Sequence, residues 1–184
     1  KLISNSGYFQ DNKNQLNKLS KSSASQNTLV IEDYSSCNFI KKGSTLIVNK
    51  GLKISKKNII HETNYWKISA LHDGYLDKFG LTHEREIEFY PEQSKFIGVD
   101  KIFRQNPNKE IKFDIRFHLD PGSKVMKTQD KKNILIDLDE EGWKFTCDNI
   151  DINIDNGLYF GNKNSYKENQ NLCISGMNND KEQI

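Results

Sequence analysis

Apolar and polar residues alternate along most of the chain, in runs of five to nine residues separated by turn signals. The clearest run spans 111–119, where Ile, Phe, Ile, Phe and Leu occupy every second position and charged or His residues lie between them. Because strand side chains point alternately to the two sides, the run predicts a strand with one apolar and one polar face. Asp120, Pro121 and Gly122 then predict a turn.

The same alternation predicts strands elsewhere in the chain. Residues 134–138 and 143–147 flank an Asp-Glu-Glu-Gly turn and predict a hairpin. Further strands are predicted at 28–32, 66–71, 83–89, 96–102, 150–154 and 171–175, with the start of another at 179–184. No pattern of ten residues or more predicts an amphipathic helix. We therefore predict an all-β protein of about a dozen antiparallel strands, arranged as a sandwich or a barrel.

The N-terminal residues depart from this pattern. A short apolar segment at 2–6 ends at Gly7 and predicts a strand that leads into a loop. Residues 8–26 are polar and rich in Asn, Lys and Ser, which predicts a long loop. A loop of that length within a compact domain is usually functional or disordered.

Composition supports a sheet protein and excludes several functional classes. Only two of the 184 residues are Ala, which disfavours a helical fold. The net charge of +2 predicts neither a nucleic-acid partner nor an anionic membrane, and no apolar run approaches a membrane span. The length fits one domain. Because the chain begins with Lys1 rather than Met, we expect residues 1–184 to form a single domain from a longer protein.

Cysteine and histidine spacing predicts no metal site and no cofactor. The three cysteines lack a C-x-x-C spacing, and the four histidines lack any recognised ligand spacing. His118 falls on the polar face of its strand, so we predict a solvated side chain. His83 shares a face with apolar residues, so we predict a partly buried and hydrogen-bonded ring.

A cluster of polar and aromatic residues follows the predicted strand at 66–71. His72, Asp73, Gly74 and Tyr75 place an imidazole, a carboxylate and a phenol within four residues. Such a group could bind a sugar or take part in acid–base chemistry. The more common interpretation is a turn, in which Asp-Gly supplies the bend and Tyr75 packs.

Several segments, in order along the chain, resemble the C-terminal β-sandwich domain of the heparinase II/III-like polysaccharide lyases. They are Leu-Ile-Ser-Asn-Ser-Gly at 2–7, Ser-Ser-Ala-Ser-Gln-Asn-Thr-Leu-Val at 22–30, Ser-Ala-Leu-His-Asp-Gly-Tyr at 69–75, Phe-Gly-Leu at 79–81, His-Glu-Arg at 83–85, Ile-Arg-Phe-His-Leu at 115–119 and Gly-Trp-Lys-Phe at 142–145. Each match is short, and the ordered set is what carries the resemblance.

The resemblance implies a supersandwich-like domain that follows an N-terminal α/α toroid, with the active site in the cleft between them. Family members cleave uronic-acid polysaccharides by β-elimination, in which a Tyr and a His move the protons after the uronate carboxylate is neutralised. Those catalytic positions fall outside this chain, so we expect no catalytic residue here and no activity from the fragment alone. His72, Asp73 and Tyr75 are then candidates for one wall of the substrate cleft.

The resemblance also bears on metal binding and location. Some members hold a metal with an Asp and a His at positions that read Asn5 and Gln26 here. An amide offers only a neutral carbonyl oxygen, so we expect no zinc. The family implies an acidic polysaccharide as the partner of the longer protein and a periplasmic location, although the sequence itself leaves the compartment open.

Two alternatives from other functional classes remain. The domain could be a non-catalytic carbohydrate-binding module, or a purely structural β-sandwich. A binding module should display aromatic side chains as a platform for sugar rings, and Tyr65 and Trp66 are the available candidates. Their place in a strand predicts burial in the core instead.

Overall fold

A computed structural model describes residues 1–43, 45–105, 110–148, 150–161 and 164–178. The elements in chain order are α1 Gln15–Ser20, a 3-10 turn Ser23–Ser25, β1 Leu29–Ile31, β2 Asn38–Lys42, β3 Thr45–Lys50, β4 Ile54–His61, β5 Trp66–Tyr75, α2 Leu76–Phe79, β6 Leu81–Tyr90, a 3-10 turn Pro91–Gln93, β7 Lys95–Arg104, β8 Ile111–His118, β9 Lys124–Lys127, β10 Asn133–Asp137, β11 Gly142–Thr146, β12 Ile152–Tyr159 and β13 Lys167–Asn178. These strands pair antiparallel and confirm the predicted all-β class. The strand predicted at 179–184 lies outside the described residues.

The chain divides into two compact units. The first contains Lys1–Ser35, Phe39–Val48 and Lys112–Met177, and the second consists mainly of Asn49–Ile111. We predicted from the sequence that residues 1–184 form one domain of a longer protein, and this stays a prediction.

Two sheets build the sandwich of the first unit, in the strand orders β1-β8-β13-β12 and β11-β10-β9. Phe117 on β8 contacts Phe145 on β11, with ring centroids 5.2 Å apart. The hairpin predicted from the Asp-Glu-Glu-Gly turn is confirmed, since β10 pairs with β11 from Asn133↔Thr146 to Asp137↔Gly142. Fully or nearly fully buried apolar side chains fill this core: Leu29, Ile31, Phe113, Ile115, Ile134, Ile136, Ile152, Leu172 and Ile174.

The N-terminal segment differs from its prediction in two ways. Residues 2–7 form isolated bridges from Ile3 to Leu119 and from Gly7 to Phe160 rather than a strand. The predicted loop contains the short helix α1, whose N-cap Asn14 accepts a hydrogen bond from the Leu16 N–H. Six helical residues span less than two turns, which is too short for a helical period to emerge from the sequence.

One four-stranded sheet, β4-β5-β6-β7, dominates the second unit. Its two faces differ, because Lys67 on β5 pairs with Glu86 and Glu88 on β6 on one side. The other side carries exposed apolar residues, among them Ile54, Ile59, Trp66, Ile68, Ile87 and Phe96. The described residues include no helix that is both long and apolar enough to span a membrane.

The predicted burial of Trp66 is wrong, since 47% of the residue is exposed. Tyr65 is half-buried, and its hydroxyl donates to Glu88 at 2.8 Å. Trp66 lies on β5 opposite Phe89, and its ring meets that of Phe89 edge-on. Strand alternation assigned these residues to faces of a sheet but could not determine which face is covered.

Candidate functional sites

The cluster His72, Asp73, Gly74 and Tyr75 lies inside strand β5 rather than in a turn. Strand β5 continues to Tyr75, and its pairing with β6 shifts between His72 and Tyr75, where the β-bulge lies. The turn interpretation of Asp-Gly is therefore wrong. A bulge inserts an extra residue into one strand and redirects the side chains near it, which accounts for Asp-Gly at this position.

His72 opens a chain of hydrogen bonds that crosses three strands. His72 Nε2 lies 3.0 Å from His83 Nδ1, and His83 Nε2 lies 2.5 Å from Asp100 Oδ1. Arg85 closes the chain, with Nε 2.8 Å from Asp100 Oδ1 and a terminal nitrogen 2.9 Å from Oδ2. We call these four residues the His-Asp network. The predicted burial and hydrogen bonding of His83 are confirmed.

The partners fix the proton positions in this network. The backbone N–H of Gly74 points at His72 Nδ1 from 3.1 Å, and because an N–H can only donate, that nitrogen is an acceptor. A neutral His72 then donates from Nε2 to His83 Nδ1, and His83 donates from Nε2 to Asp100. Every ring nitrogen of both histidines is therefore engaged within the protein.

Burial and charge keep His72 neutral and Asp100 ionised. Burial, with a smaller contribution from His83, lowers the pKa of His72 to about 4. Burial alone would raise the pKa of Asp100, but hydrogen bonds from His83 and Arg85 outweigh it and hold that pKa below its usual value.

The other two members of the predicted cluster are held separately. Tyr75 is only 2% exposed, and its ring lies 5.8 Å from that of His72. Asp73 Oδ1 accepts a hydrogen bond of 2.7 Å from the Lys53 N–H. The structure thus brings His72, Asp73 and Tyr75 together at the end of β5, with His72 and Asp73 both bonded to neighbouring protein groups.

His118 is buried, so the predicted solvated side chain is wrong. Only 3% of the residue is exposed. Its Nε2 donates to the Ala24 carbonyl at 3.0 Å, and its Nδ1 accepts from the Ser6 hydroxyl at 2.9 Å. The N-terminal segment covers the polar face of β8, and this long-range contact is invisible to strand periodicity. Burial lowers the pKa of His118, against hydrogen bonds that raise it.

The two positions aligned with metal ligands form an amide pair. Asn5 Nδ2 donates to Gln26 Oε1 at 2.6 Å, while Asn5 Oδ1 accepts from the Gly7 N–H at 3.0 Å. Gln26 also donates to the Ser20 carbonyl at 3.1 Å. Among the described residues, no three His, Cys, Asp or Glu side chains are grouped to hold a metal ion. The pair connects residues 2–7 to the 3-10 turn that follows α1.

A cavity of about 200 Å³ lies in the first unit beside His118, and we call it the polar cavity. Its lining comprises Leu19, Ala24, Ser25, Arg116, His118, Asn156, Gly157, Leu158, Phe160 and Asn171. Two buried polar atoms of this lining, Arg116 Nε and Asn171 Oδ1, accept or donate no hydrogen bond of ordinary geometry among the described residues. Both atoms have almost no accessible surface, so they are closed to a molecule in the cavity.

Sequence reasoning missed Arg85, Asp100, Arg116 and Asn171. Asp100 and Arg116 occupied unremarkable alternating positions, and Asp100 bonds Arg85 from 15 residues away while Arg116 contacts Asp155 on another strand as well as Asp114 on its own. The sequence held a weak signal for Asn171, because an Asn within a predicted strand places a polar amide on one face of the sheet. Without the sheet order, that face could not be assigned.

Comparison with known proteins places these features in a family. Residues 1–184 match the family described as Heparinase II/III-like, C-terminal, and the chain belongs to that family. This confirms the resemblance inferred from the ordered segments.

Solved structures share the fold at low sequence identity. Heparan sulfate lyase HepC from Pedobacter heparinus superposes with a TM-score of 0.73 at 12% identity, over 97% of this chain and 26% of that one. The heparinase III-BT4657 gene product gives 0.71 at 11% identity, over 95% and 25%. FtsZ-localized protein C of Caulobacter vibrioides is 26% identical, over 62% of this chain and 21% of its own length. The chain therefore spans about a quarter or less of the proteins it matches.

Proposed function

We propose that this chain is the C-terminal β-sandwich domain of a polysaccharide lyase that acts by β-elimination on uronic-acid polysaccharides. In the longer protein it follows an N-terminal α/α toroid and forms one wall of the substrate cleft. The observation that carries the proposal is the family match over all 184 residues. Its support is that the same fold makes up about a quarter of the heparan sulfate lyase chains.

The proposal assigns no catalytic residue to this chain. A β-elimination needs a base at the C5 proton and an acid at the leaving oxygen. Both ring nitrogens of His72, His83 and His118 are engaged by protein groups, which leaves those rings no nitrogen for a substrate proton. The fourth histidine, His61, is exposed with its ring 4.6 Å from that of Trp66.

Ultraviolet absorbance of the unsaturated uronate product tests the proposal. We expect the 184-residue chain to produce none from heparan sulfate, hyaluronan or alginate, and the longer protein to cleave at least one uronate polymer. Product formed by the 184-residue chain would contradict the absence of catalytic residues. A longer protein that folds but cleaves none of a broad panel would contradict the lyase assignment.

His72, Asp73 and Tyr75 remain the proposed cleft-wall residues, and the longer protein is where they can be tested. Asp73→Asn preserves size while it removes charge, so reduced turnover with unchanged stability would place Asp73 near substrate. Asp130→Asn is a matched control, because Asp130 is also a loop-bonded carboxylate but lies in the β9–β10 turn. Wild-type kinetics in Asp73→Asn would remove the cluster from the cleft.

A second function, binding of carbohydrate without catalysis, is supported by the exposure of Trp66. This residue is 47% exposed and lies among the aromatic rings of Phe89 and Phe96, which stack at 4.3 Å. Exposed aromatic rings can stack against sugar rings. If this face binds polysaccharide, Trp66→Ala should reduce retention in affinity electrophoresis, whereas Ile59→Ala on the same face should not. Equal retention of both variants and wild type would exclude the platform.

A further inference from the structure

One end of the sheet β4-β5-β6-β7 carries two rows of side chains that share one face. The first row crosses the four strands in order: His61, Trp66, Phe89 and Phe96. The second row, two residues along each strand, is Ile59, Ile68, Ile87 and Gly98. Paired residues, and residues two apart in a strand, project to the same side of a sheet. We call the six apolar side chains of these rows the apolar patch: Ile59, Trp66, Ile68, Ile87, Phe89 and Phe96.

Most of the apolar patch is open to solvent. Apart from the half-buried Phe89, the exposed fractions run from 39% for Ile87 to 72% for Ile59. If a side chain of this size offers about 200 Å² when fully exposed, five half-exposed ones leave on the order of 500 Å² of apolar surface in water. That area matches the largest patch on a typical monomeric protein, and patches of this size often mark an interaction site.

Gly98 leaves a gap beside the apolar patch, in the middle of β7. Its φ is not positive and the pairing of β6 with β7 is unbroken, so neither a left-handed conformation nor a bulge requires glycine here. A Cβ at this position would meet no atom within 4 Å. Glycine within a regular strand weakens it, and it often marks a place where another backbone or a ligand approaches closely. The gap therefore points to an occupant of this face.

The distribution of charge selects a protein surface as that occupant. The eight positions of the two rows contain no Lys, Arg, Asp or Glu. In the next row along the sheet, Arg85 is bonded to Asp100. A uronate polymer calls for cationic groups that pair with its carboxylates. The centre of a protein interface, by contrast, is depleted of charge and enriched in aromatic side chains, as this patch is.

The size of the apolar patch distinguishes between two sources of such a surface. A stable complex of separate proteins buries about 800 Å² on each partner. Domains of one chain meet over about 300–750 Å² on each side, and the area of the patch falls in this lower range. A tether raises the effective concentration of the partner, so a small interface can persist within one chain. The solved structures that share this fold are about four times as long as the part they share.

We propose that the apolar patch is covered, in the longer protein, by an uncharged apolar surface from another region of the same polypeptide. Gly98 provides the space in which that region comes closest to the sheet. The inference rests on the proposed function only in treating this chain as part of a longer protein. It is incompatible with an open carbohydrate platform around Trp66, so the two make opposite predictions.

Thiol labelling of the longer protein tests the proposal at two neighbouring positions of β7. Phe96→Cys places a thiol in the apolar patch, and Lys95→Cys places one on the opposite face, where Lys95 is also exposed. Maleimide incorporation is read peptide by peptide in a mass spectrometer, which separates the new thiol from Cys37, Cys147 and Cys173. Each rate is divided by the rate at the same position in urea. We expect Phe96→Cys to react at least about tenfold more slowly than Lys95→Cys.

Ile59→Cys repeats the measurement on β4 and should be protected to a similar extent. The protection should not depend on protein concentration or on added polysaccharide. Equal rates for Phe96→Cys and Lys95→Cys would mean that the patch is open, and the proposal would be wrong. Protection that disappears on dilution would identify a second copy of the protein as the occupant. Protection that appears only with heparan sulfate would identify a carbohydrate platform, and either result overturns the proposal.

Gly98→Val is a second test, in which the direction of the effect decides. On an open face, valine suits a strand better than glycine and meets no neighbour, so the unfolding temperature of the longer protein should rise. Beneath a packed surface the added side chain is too large, and we expect the unfolding temperature to fall by about 5 °C. Gly142→Val is the matched control, because a Cβ on that β11 residue also meets nothing within 4 Å. It should not lower the unfolding temperature.

These measurements separate the inference from the proposed function, because none of them requires activity. A longer protein that cleaves no polysaccharide but protects Phe96→Cys would sustain the inference while the lyase assignment fails. A longer protein that cleaves polysaccharide, labels Phe96→Cys and Lys95→Cys equally and is stabilised by Gly98→Val would overturn the inference alone.

Discussion

The His-Asp network and the lining of the polar cavity are both buried polar clusters, each on one face of its own β-sheet. They differ in how completely their polar atoms are hydrogen-bonded. In the network, both ring nitrogens of each histidine and both oxygens of Asp100 have partners within the protein. In the lining of the cavity, Arg116 and Asn171 each retain a buried atom that forms no such bond with the part of the chain that the structure describes. The first cluster satisfies its own polar atoms, whereas the second leaves two of them unbonded beside a cavity of about 200 Å³.

This difference indicates where to look for function in a domain of this kind. Titratable residues attract attention first, and the histidines of the network are the most conspicuous in the sequence. A fully bonded network, however, costs free energy to disturb. The Asn171 amide and the Arg116 guanidinium carry no such signature, although each keeps a buried polar atom that no described residue bonds.

Among the variants that test this comparison, we expect Asp100→Ala to change the free energy of unfolding the most. The change leaves the Arg85 charge and the His83 Nε2–H without their acceptor in a buried site. We expect the free energy of unfolding in urea to fall by about 3–5 kcal/mol, as when one partner of a buried ion pair is removed.

Asp155→Ala is the matched control for the cavity side. Asp155 is half-exposed and lies 3.5 Å from Arg116, so its loss should cost about 0–1 kcal/mol. Similar losses in the two variants would mean that the network is no more tightly coupled than a surface pair, and the contrast between the two clusters would fail.

Sequence reasoning recovered the fold better than the sites, for a physical reason. Alternation over 111–119 and the Asp-Glu-Glu-Gly turn are local properties, and both appear in the structure as β8 and the β10–β11 hairpin. Alternation says which residues share a face but not what covers it. His118 was therefore assigned to solvent and Trp66 to the core, although distant chain segments cover the first and leave the second exposed.

The candidate sites show the same limit. His72 was identified because four chemically distinct residues stand together in the sequence, but its decisive partners His83 and Asp100 belong to two other strands. The amide pair was found only through positions in a family resemblance. Arg116 and Asn171 line the same cavity only once β8, β13 and β12 are side by side and Gly157 leaves room for the Asn171 amide.

A pH titration of stability sharpens the comparison, with a smaller expected effect. The folded state holds His72 neutral, with a pKa of about 4, while in the unfolded chain it binds a proton below about 6.5. The contribution of His72 is therefore present above pH 6.5 and is lost as the pH falls from 6.5 toward 4. Allowing for its partial exposure, we expect a loss of about 1–2 kcal/mol between pH 7.5 and 5.0.

His72→Gln should remove that part of the pH dependence in urea unfolding measured at both pH values. His61→Gln is the matched control for the loss of one imidazole, since His61 is exposed at the end of β4. The lowered pKa of buried His118 acts in the same direction, so some acid sensitivity should survive in His72→Gln. If the free energy of unfolding falls equally with pH in the two variants, His72 is not the source of this pH dependence.

The smallest expected effect concerns the amide pair that borders the N-terminal segment. Asn5→Ala and Gln26→Ala each remove one side of a 2.6 Å hydrogen bond that is exposed to solvent. We expect each to lower the free energy of unfolding by about 0.5–1.5 kcal/mol, and a double-mutant cycle to give a coupling energy of about 0.5–1 kcal/mol. A coupling energy near zero would show that the two amides are neighbours without being partners, and the N-terminal wall of the cavity would then depend on the Ser6–His118 and His118–Ala24 bonds instead.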